Sequence, residues 1–152
     1  MEITTELIKE LRDATGISVM QCKKALEAAG GDMEKAQAIL REESAKIAAK
    51  KGDRELASGV IASYIHTSKT VGCIAELSCE TDFVSKNEEF ITLAQELAMH
   101  ITAFAPETVE DLLEQPFIMN GDVTVGARLD EAVQKFGERT VVSRFERYSF
   151  GE

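Results

Sequence analysis

The chain has 152 residues, 44% of them hydrophobic, and a formal net charge of −10 at pH 7. This size suits one or two small domains with a real apolar core. The acidic balance argues against direct nucleic-acid binding, because phosphate contacts need a basic surface, and it favours proteins as partners. Because no apolar run approaches the roughly 20 residues of a membrane span, and the acid-bearing N-terminus is unlike a targeting peptide, we expect a cytoplasmic protein that does not bind membranes.

Three short helices are predicted within residues 1–50. Apolar residues recur at helical spacing in each helix, and Thr4, Ser18 and Asp32 precede them as candidate N-caps. Such short connections predict a compact three-helix bundle near the lower size limit for independent folding. We expect a bundle of this kind to bind a partner rather than to catalyse a reaction. The charged stretch 51–58 differs sharply in composition from both neighbours and is the predicted linker.

The second predicted domain comprises residues 59–152 and begins with a hairpin. Residues 59–66 and 71–79 are rich in Val, Ile and Tyr, and a polar turn separates them, which is typical of two antiparallel strands. Alternation places four residues of the second strand on its core face: Cys73, Ala75, Leu77 and Cys79.

The remaining elements complete an α+β fold, in which a three-stranded antiparallel sheet is covered by helices. Ser85 to Glu88 has the form of a capping box for a long helix with a continuous apolar stripe. The later predicted elements are that helix at 87–105, a short helix at 108–114, a turn at Asn120–Asp122, a helix at 124–136 and a last strand at 140–149 that pairs with the hairpin.

The segment Cys79–Lys86 connects the predicted second strand to the long helix. Phe83 stands there between Asp82 and the hydroxyl of Ser85, and these side chains cannot all be buried without cost. Phe83 therefore either folds back into the core or is presented to a partner. The local pattern leaves both alternatives open.

Familiar catalytic and metal-binding motifs are absent from the sequence, including the Walker loop, H-E-x-x-H and G-x-S-x-G. Neither His66 nor His100 has a cysteine or carboxylate at ligand spacing, so we expect no metal and no cofactor. A small enzyme using Cys79 or His66 would lack a paired base or nucleophile. Three cysteines without a C-x-x-C motif indicate buried free thiols: Cys22, Cys73 and Cys79.

Two segments carry a resemblance to a known family. They are LRDATGISVMQCKKAL, starting at Leu11, and ELSCETDFVSK, starting at Glu76. Both resemble the signature segments of bacterial elongation factor Ts, in the right order and at about the right distance. Gln115–Phe117 and Arg144–Tyr148 are similar to the end of the family's sequences, so the resemblance covers essentially the whole chain.

That resemblance implies a guanine-nucleotide exchange factor for elongation factor Tu, acting by binding and without chemistry of its own. It implies an N-terminal domain like the ubiquitin-associated (UBA) domain that docks on the GTPase domain of Tu in its GDP-bound or nucleotide-free form. The matching docking positions are Leu11, Val19 and Met20. Lys23 is a further docking candidate as a contact with an acidic surface of Tu, and its alternative is a place on a solvated helix face. Leu11 also fits the bundle core, since it shares the apolar stripe of its helix. Asp82 and Phe83 match the pair that reaches towards the magnesium site, displaces a helix and speeds GDP release.

The chain resembles the family's short form, with a single core subdomain and no coiled coil. Longer members of the family have a second core subdomain that this chain lacks. We therefore expect a second copy of the chain to take its place, in a homodimer formed by sheet-to-sheet packing of the second domain. Tyr64 and His66 on the hairpin are candidate contacts with the second copy or with Tu. The alternative function is a UBA-like adaptor with a dimerisation domain and no exchange activity, which predicts binding through residues 1–50 alone and no sensitivity at Phe83.

Overall fold

A computed structural model describes residues 2–152 of the protein. The helices are α1 Thr5–Thr15, α2 Val19–Ala28, α3 Met33–Lys50, α4 Asp82–Ser85, α5 Glu88–Phe104, α6 Val109–Glu114 and α7 Val125–Phe136. The strands are β1 Ser58–Ile65, β2 Val71–Cys79, β3 Pro116–Phe117, β4 Asn120–Thr124 and β5 Val141–Ser149. The chain divides into two compact units, one of residues 1–52 with 130–137 and one of residues 53–129 with 138–152. Residues 130–137 group with the N-terminal helices, whereas the sequence analysis placed them in the second domain, residues 59–152.

The first unit is built on α1, α2 and α3. Each helix begins where a short polar side chain accepts a hydrogen bond from a backbone N–H of the first turn, and these N-caps are Thr4, Ser18 and Asp32 as predicted. The three helices enclose an apolar core of Leu11, Ile17, Cys22, Ala25, Leu26, Ala36 and Leu40. Gln134 of the same unit donates to the Gln21 side chain at 3.1 Å and accepts from Ser44.

The second unit contains a three-stranded antiparallel sheet in the order β1-β2-β5, which confirms the predicted fold class. Ala62 of β1 and Phe145 of β5 both lie opposite Ala75 of β2. The predicted core face of β2 is buried at all four of its positions, and α5 packs against β1 and β2. Alternate residues of the central strand β2 therefore lie on two different faces of the sheet, one covered by α5 and one open.

Helix α5 supplies the layer that covers the sheet. Its buried stripe includes Phe90, Leu93, Leu97 and Ile101. The predicted capping box at Ser85 is wrong, because Asn87 is the N-cap and accepts from the amide of Glu89 at 2.8 Å. Ser85 instead ends the separate one-turn helix α4, where its side chain is buried.

One further prediction is wrong at the small hairpin. Asn120–Asp122 was predicted as a turn, but Asn120 begins β4 and pairs with Phe117 of β3. The turn lies at residues 118–119, directly before this strand, and joins the paired Phe117 and Asn120. The last predicted elements are confirmed to within about one residue as α7 and β5. Within residues 2–152, no helix combines the length and apolar character that crossing a bilayer requires.

Candidate functional site

The segment of residues 79–86, here called the corner, joins β2 to α5 through the one-turn helix α4. In α4 only Val84 and Ser85 are buried, so the first two helical positions face solvent. Phe83 is 88% exposed, and Asp82 beside it is also exposed. Of the two alternatives left open by the sequence, the structure places Phe83 outside the core. An exposed phenyl ring of this kind is available to a partner.

Hydrogen bonds of Ser85 and Cys79 attach the corner to β1 and to the end of β2. The hydroxyl of Ser85 lies 2.9 Å from that of Ser58 on β1, and it also donates to the carbonyl of Asp82 at 3.3 Å. The thiol of Cys79 donates to the carbonyl of Thr81 at 3.2 Å. These contacts attach both ends of α4 to the neighbouring strands.

Asp82 has one weak ionic neighbour. Its carboxylate lies 3.4 Å from the ammonium group of Lys86, one helical turn later, and both side chains are more than two-thirds exposed. Exposed ion pairs contribute little to stability, since water screens them well. The Asp82 carboxylate can therefore exchange Lys86 for a partner group at small cost.

Two glutamates that the sequence analysis did not single out hold the chain just before Asp82. The Glu138 carboxylate accepts from the amides of Glu80 and Thr81 at 3.1 and 3.0 Å, and from the Thr81 hydroxyl at 2.6 Å. In return the Glu80 carboxylate accepts from the Arg139 amide, and it pairs with Arg54 at 3.3 Å. We call Glu80 and Glu138 together the carboxylate clamp. No local sequence pattern predicts the carboxylate clamp, because its two residues lie 58 positions apart in the chain.

A second candidate surface lies on the N-terminal bundle. Val19 and Met20 open α2 with 49% and 69% of their surfaces exposed, and Lys23 is exposed one turn later. Leu11, in contrast, is 0% exposed and belongs to the bundle core. Its prediction as a docking residue does not fit the structure, because the stripe it shares with its helix faces inward. Val19, Met20 and Lys23 remain as the docking candidates.

Tyr64 and His66 lie together at the end of β1. The Tyr64 hydroxyl is 3.3 Å from Nδ1 of His66, and the two ring centroids are 6.3 Å apart. Tyr64 is half-buried, whereas His66 is exposed beyond the strand. Their role in contacting a partner stays a prediction.

The open sheet face carries exposed apolar side chains beside opposite charges. Register places Ile65 and Tyr148 on either side of Gly72, and the exposed isoleucines Ile61 and Ile74 lie on the same face. A Cβ at Gly72 would lie 2.9 Å from the backbone carbonyl oxygen of Tyr64 as well as 2.5 Å from the Ile65 side chain, so a larger residue there would require the backbone to shift. Glu76 and Arg144 form an ion pair of 2.9 Å on this face.

The three thiols and His100 are internal groups. All three cysteines are buried and free, as predicted. Burial raises the pKa of each thiol, that of Cys73 to about 11, so each stays protonated and weakly nucleophilic at neutral pH. For Cys79 the charge of Glu138 raises the pKa further. Among residues 2–152, His, Cys, Asp and Glu side chains form no group of three or more that could hold a metal ion.

Comparison with known proteins gives two matching family models. Residues 4–46 match a model described as a UBA-like domain, and residues 80–152 match one described as Elongation factor TS. The second matched segment begins at Glu80 and so contains Asp82, Phe83 and Glu138.

Curated relatives match the chain over nearly its whole length. Elongation factor Ts of Desulforamulus reducens is 40% identical over 196 aligned positions, covering 99% of this chain and 90% of the relative. Elongation factor Ts of Carboxydothermus hydrogenoformans is 39% identical, with the same coverage. Elongation factor Ts of Thermosipho melanesiensis is 38% identical, and the alignment covers 99% of this chain and the whole of the relative. The first alignment has 44 positions more than the 152 residues of this chain, so the relative contains at least that many without a counterpart here.

Proposed function

The chain belongs to the elongation factor Ts family, and from this premise we propose that it is a guanine-nucleotide exchange factor for elongation factor Tu. It acts in translation elongation by binding Tu in its GDP-bound or nucleotide-free form, in the cytoplasm, and it performs no chemistry of its own. The observation that carries the proposal is the 88% exposure of Phe83 on an anchored corner, next to Asp82.

The mechanism we propose separates docking from nucleotide release. Val19, Met20 and Lys23 dock on the GTPase domain of Tu, and the exposure of all three supports this assignment. Asp82 and Phe83 then insert near the magnesium site of the GTPase. GDP is held by magnesium and by backbone amides around its phosphates, so a small shift of a supporting helix weakens several contacts together.

The size of the effect follows from differential binding. Only contacts that form better with nucleotide-free Tu than with the GDP complex can shift the equilibrium towards release. Burying a phenyl ring contributes about 1.5–3 kcal/mol, which corresponds to roughly a ten- to hundredfold change in release. A larger acceleration requires further contacts from the docking surface. By linkage, bound nucleotide must weaken the binding of this protein to Tu by the same factor.

The test is the release of a fluorescent GDP analogue from purified Tu. We expect the wild-type protein to accelerate release, Phe83→Ala to lose roughly a ten- to hundredfold factor, and Asp82→Ala to lose less, with both variants folded. Phe150→Ala is the matched control, because Phe150 is 89% exposed but follows β5, beside the start of β2 rather than its end. Unchanged release with wild-type protein would reject the proposal. Binding through residues 1–50 without sensitivity at Phe83 would favour the adaptor function.

We also propose that two copies associate through the open sheet face. The exposed Ile61, Ile74 and Tyr148 supply apolar area, and Glu76 and Arg144 supply both signs of charge on one surface. A two-fold interface brings the same patch of each copy together, so Arg144 of one copy can face Glu76 of the other. Tyr64 and His66 at the end of β1 are candidate contacts with the second copy or with Tu.

A further inference from the structure

We infer that Glu138 is a positioning residue for exchange: its carboxylate fixes the direction in which Asp82 and Phe83 leave the sheet. The inference rests on the proposed function, since it concerns the residues assigned to nucleotide release. One hydrogen bond that is usual at the start of a helix is missing in the corner. Thr81 is the N-cap of α4, yet its side chain forms no capping hydrogen bond with that helix.

The Thr81 hydroxyl is occupied by Glu138 instead. One carboxylate oxygen of Glu138 accepts from two successive amides, those of Glu80 and Thr81, and the other accepts from the Thr81 hydroxyl. Hydrogen bonds to an ionised acceptor are stronger than neutral ones, and three of them converge here on two adjacent residues. Glu138 thus restrains the backbone immediately before Asp82.

The restraint is reciprocal and reaches the segment that carries Glu138. The Glu80 side chain, 16% exposed, accepts from the Arg139 amide. Arg139 in turn donates from its guanidinium to the carbonyl of Arg54 at 2.9 Å. Thr140 donates to the Glu138 carbonyl at 3.1 Å. The end of β2 and the start of β5 are therefore tied by side chains in both directions, so neither segment can swing without breaking several bonds.

A one-turn helix needs such support, because α4 has only four residues and cannot hold its own conformation. The bonds of Ser85 and Cys79 attach α4 at its base, whereas Glu138 sets the backbone direction at its entrance. Without Glu138 the exposed Asp82 and Phe83 would sample several orientations. Tu would then have to select the competent one, which lowers the rate of the insertion step rather than the affinity of docking.

The side-chain chemistry of glutamine provides a discriminating variant. In Glu138→Gln the amide oxygen can still accept from both backbone N–H groups. The amide nitrogen can donate to the Thr81 hydroxyl, which then acts as acceptor. Glu138→Ala removes all three bonds. Glu110→Ala is the control for charge, because it removes an exposed acid from α6 and leaves the clamp intact.

The experiment measures GDP release from Tu over a range of concentrations of the full-length protein. For Glu138→Ala we expect the maximal release rate to fall roughly five- to twentyfold while the half-saturating concentration changes less than about twofold. Glu138→Gln should restore most of the maximal rate, and Glu110→Ala should match wild type. A purely structural defect would reduce the folded fraction, which raises the half-saturating concentration and spares the maximal rate.

A second readout does not involve Tu. A trifluoromethyl-phenylalanine placed at position 83 should give one narrow ¹⁹F resonance in the wild-type background, a shifted or broadened one with Glu138→Ala, and recovery with Glu138→Gln. An unaltered maximal rate and an unaltered resonance in Glu138→Ala would overturn the inference. If wild-type protein fails to accelerate release, the proposed function fails, whereas the ¹⁹F comparison still decides whether Glu138 orders the corner.

Discussion

Helices α4 and α5 are neighbours in the chain, but the phenylalanine of α4 is exposed and that in the first turn of α5 is buried. Phe90 in the first turn of α5 is 0% exposed, whereas Phe83 in α4 is 88% exposed. The difference arises from what lies beneath each helix, because α5 packs its stripe on the sheet while α4 buries only Val84 and Ser85. A ring left in water contributes nothing to folding. We therefore expect the α5 side of this comparison to carry stability and the α4 side to carry binding.

The largest expected effect is on the stability side. Phe90→Ala should lower the free energy of unfolding by about 3–5 kcal/mol, because it leaves a cavity where α5 buries a whole phenyl ring. Phe83→Ala should change it by less than about 0.5 kcal/mol. Urea unfolding of both variants, followed by circular dichroism, makes the measurement. Comparable losses for the two variants would contradict the comparison.

The two faces of the sheet offer the next contrast. Ile74→Lys places a charge on the open face, where Ile74 is 51% exposed, and we expect it to raise the dimer dissociation constant at least roughly tenfold without unfolding the chain. Lys46→Ala, on α3 with its side chain 71% exposed, is the control. Sedimentation equilibrium at tens of micromolar gives the mass, and a monomeric wild-type protein at that concentration would reject the dimer.

A smaller effect concerns His100, which is buried on α5. Its Nδ1 accepts from the Ile118 amide at 3.1 Å, so its Nε2–H donates to Gln115 at 2.9 Å, and this arrangement requires the neutral ring. Burial lowers the pKa of His100 below its ordinary value. The unfolded chain therefore binds the proton first, and stability should fall as pH drops below about 6.5, by at most about 1.4 kcal/mol per pH unit, until the folded-state pKa is reached.

The check is the free energy of unfolding of wild type and two variants across that pH window. His100→Gln should lose this part of the pH dependence, whereas the exposed His66→Ala should keep it. The same slope in His100→Gln as in wild type would show that carboxylates elsewhere produce the dependence.

Much of the fold could be predicted because its signals are local. The N-caps Thr4, Ser18 and Asp32 and the alternating core face of β2 depend on neighbours within a few residues, and the structure confirms them. The capping box at Ser85 failed for a long-range reason. Ser85 bonds to Ser58 on a different element, which leaves Asn87 to cap α5.

The candidate site shows the same division. The exposure of Phe83, Val19 and Met20 agrees with the surfaces that the family resemblance implies, although their contacts with Tu stay predictions. Leu11 could not be separated from them by spacing, since a docking stripe and a core stripe have the same period. Glu138 was missed because its hydrogen bonds join segments 57 and 58 residues apart, and only the folded chain brings them together.

The central claim is that Phe83 favours nucleotide-free Tu over the GDP complex. The most direct test is to measure the affinity of wild-type protein and Phe83→Ala for both forms of Tu by calorimetry. We predict that Phe83→Ala weakens binding to nucleotide-free Tu by roughly ten- to hundredfold and binding to the GDP complex by less than about threefold. Equal losses for the two forms, or no loss for either, would contradict the account.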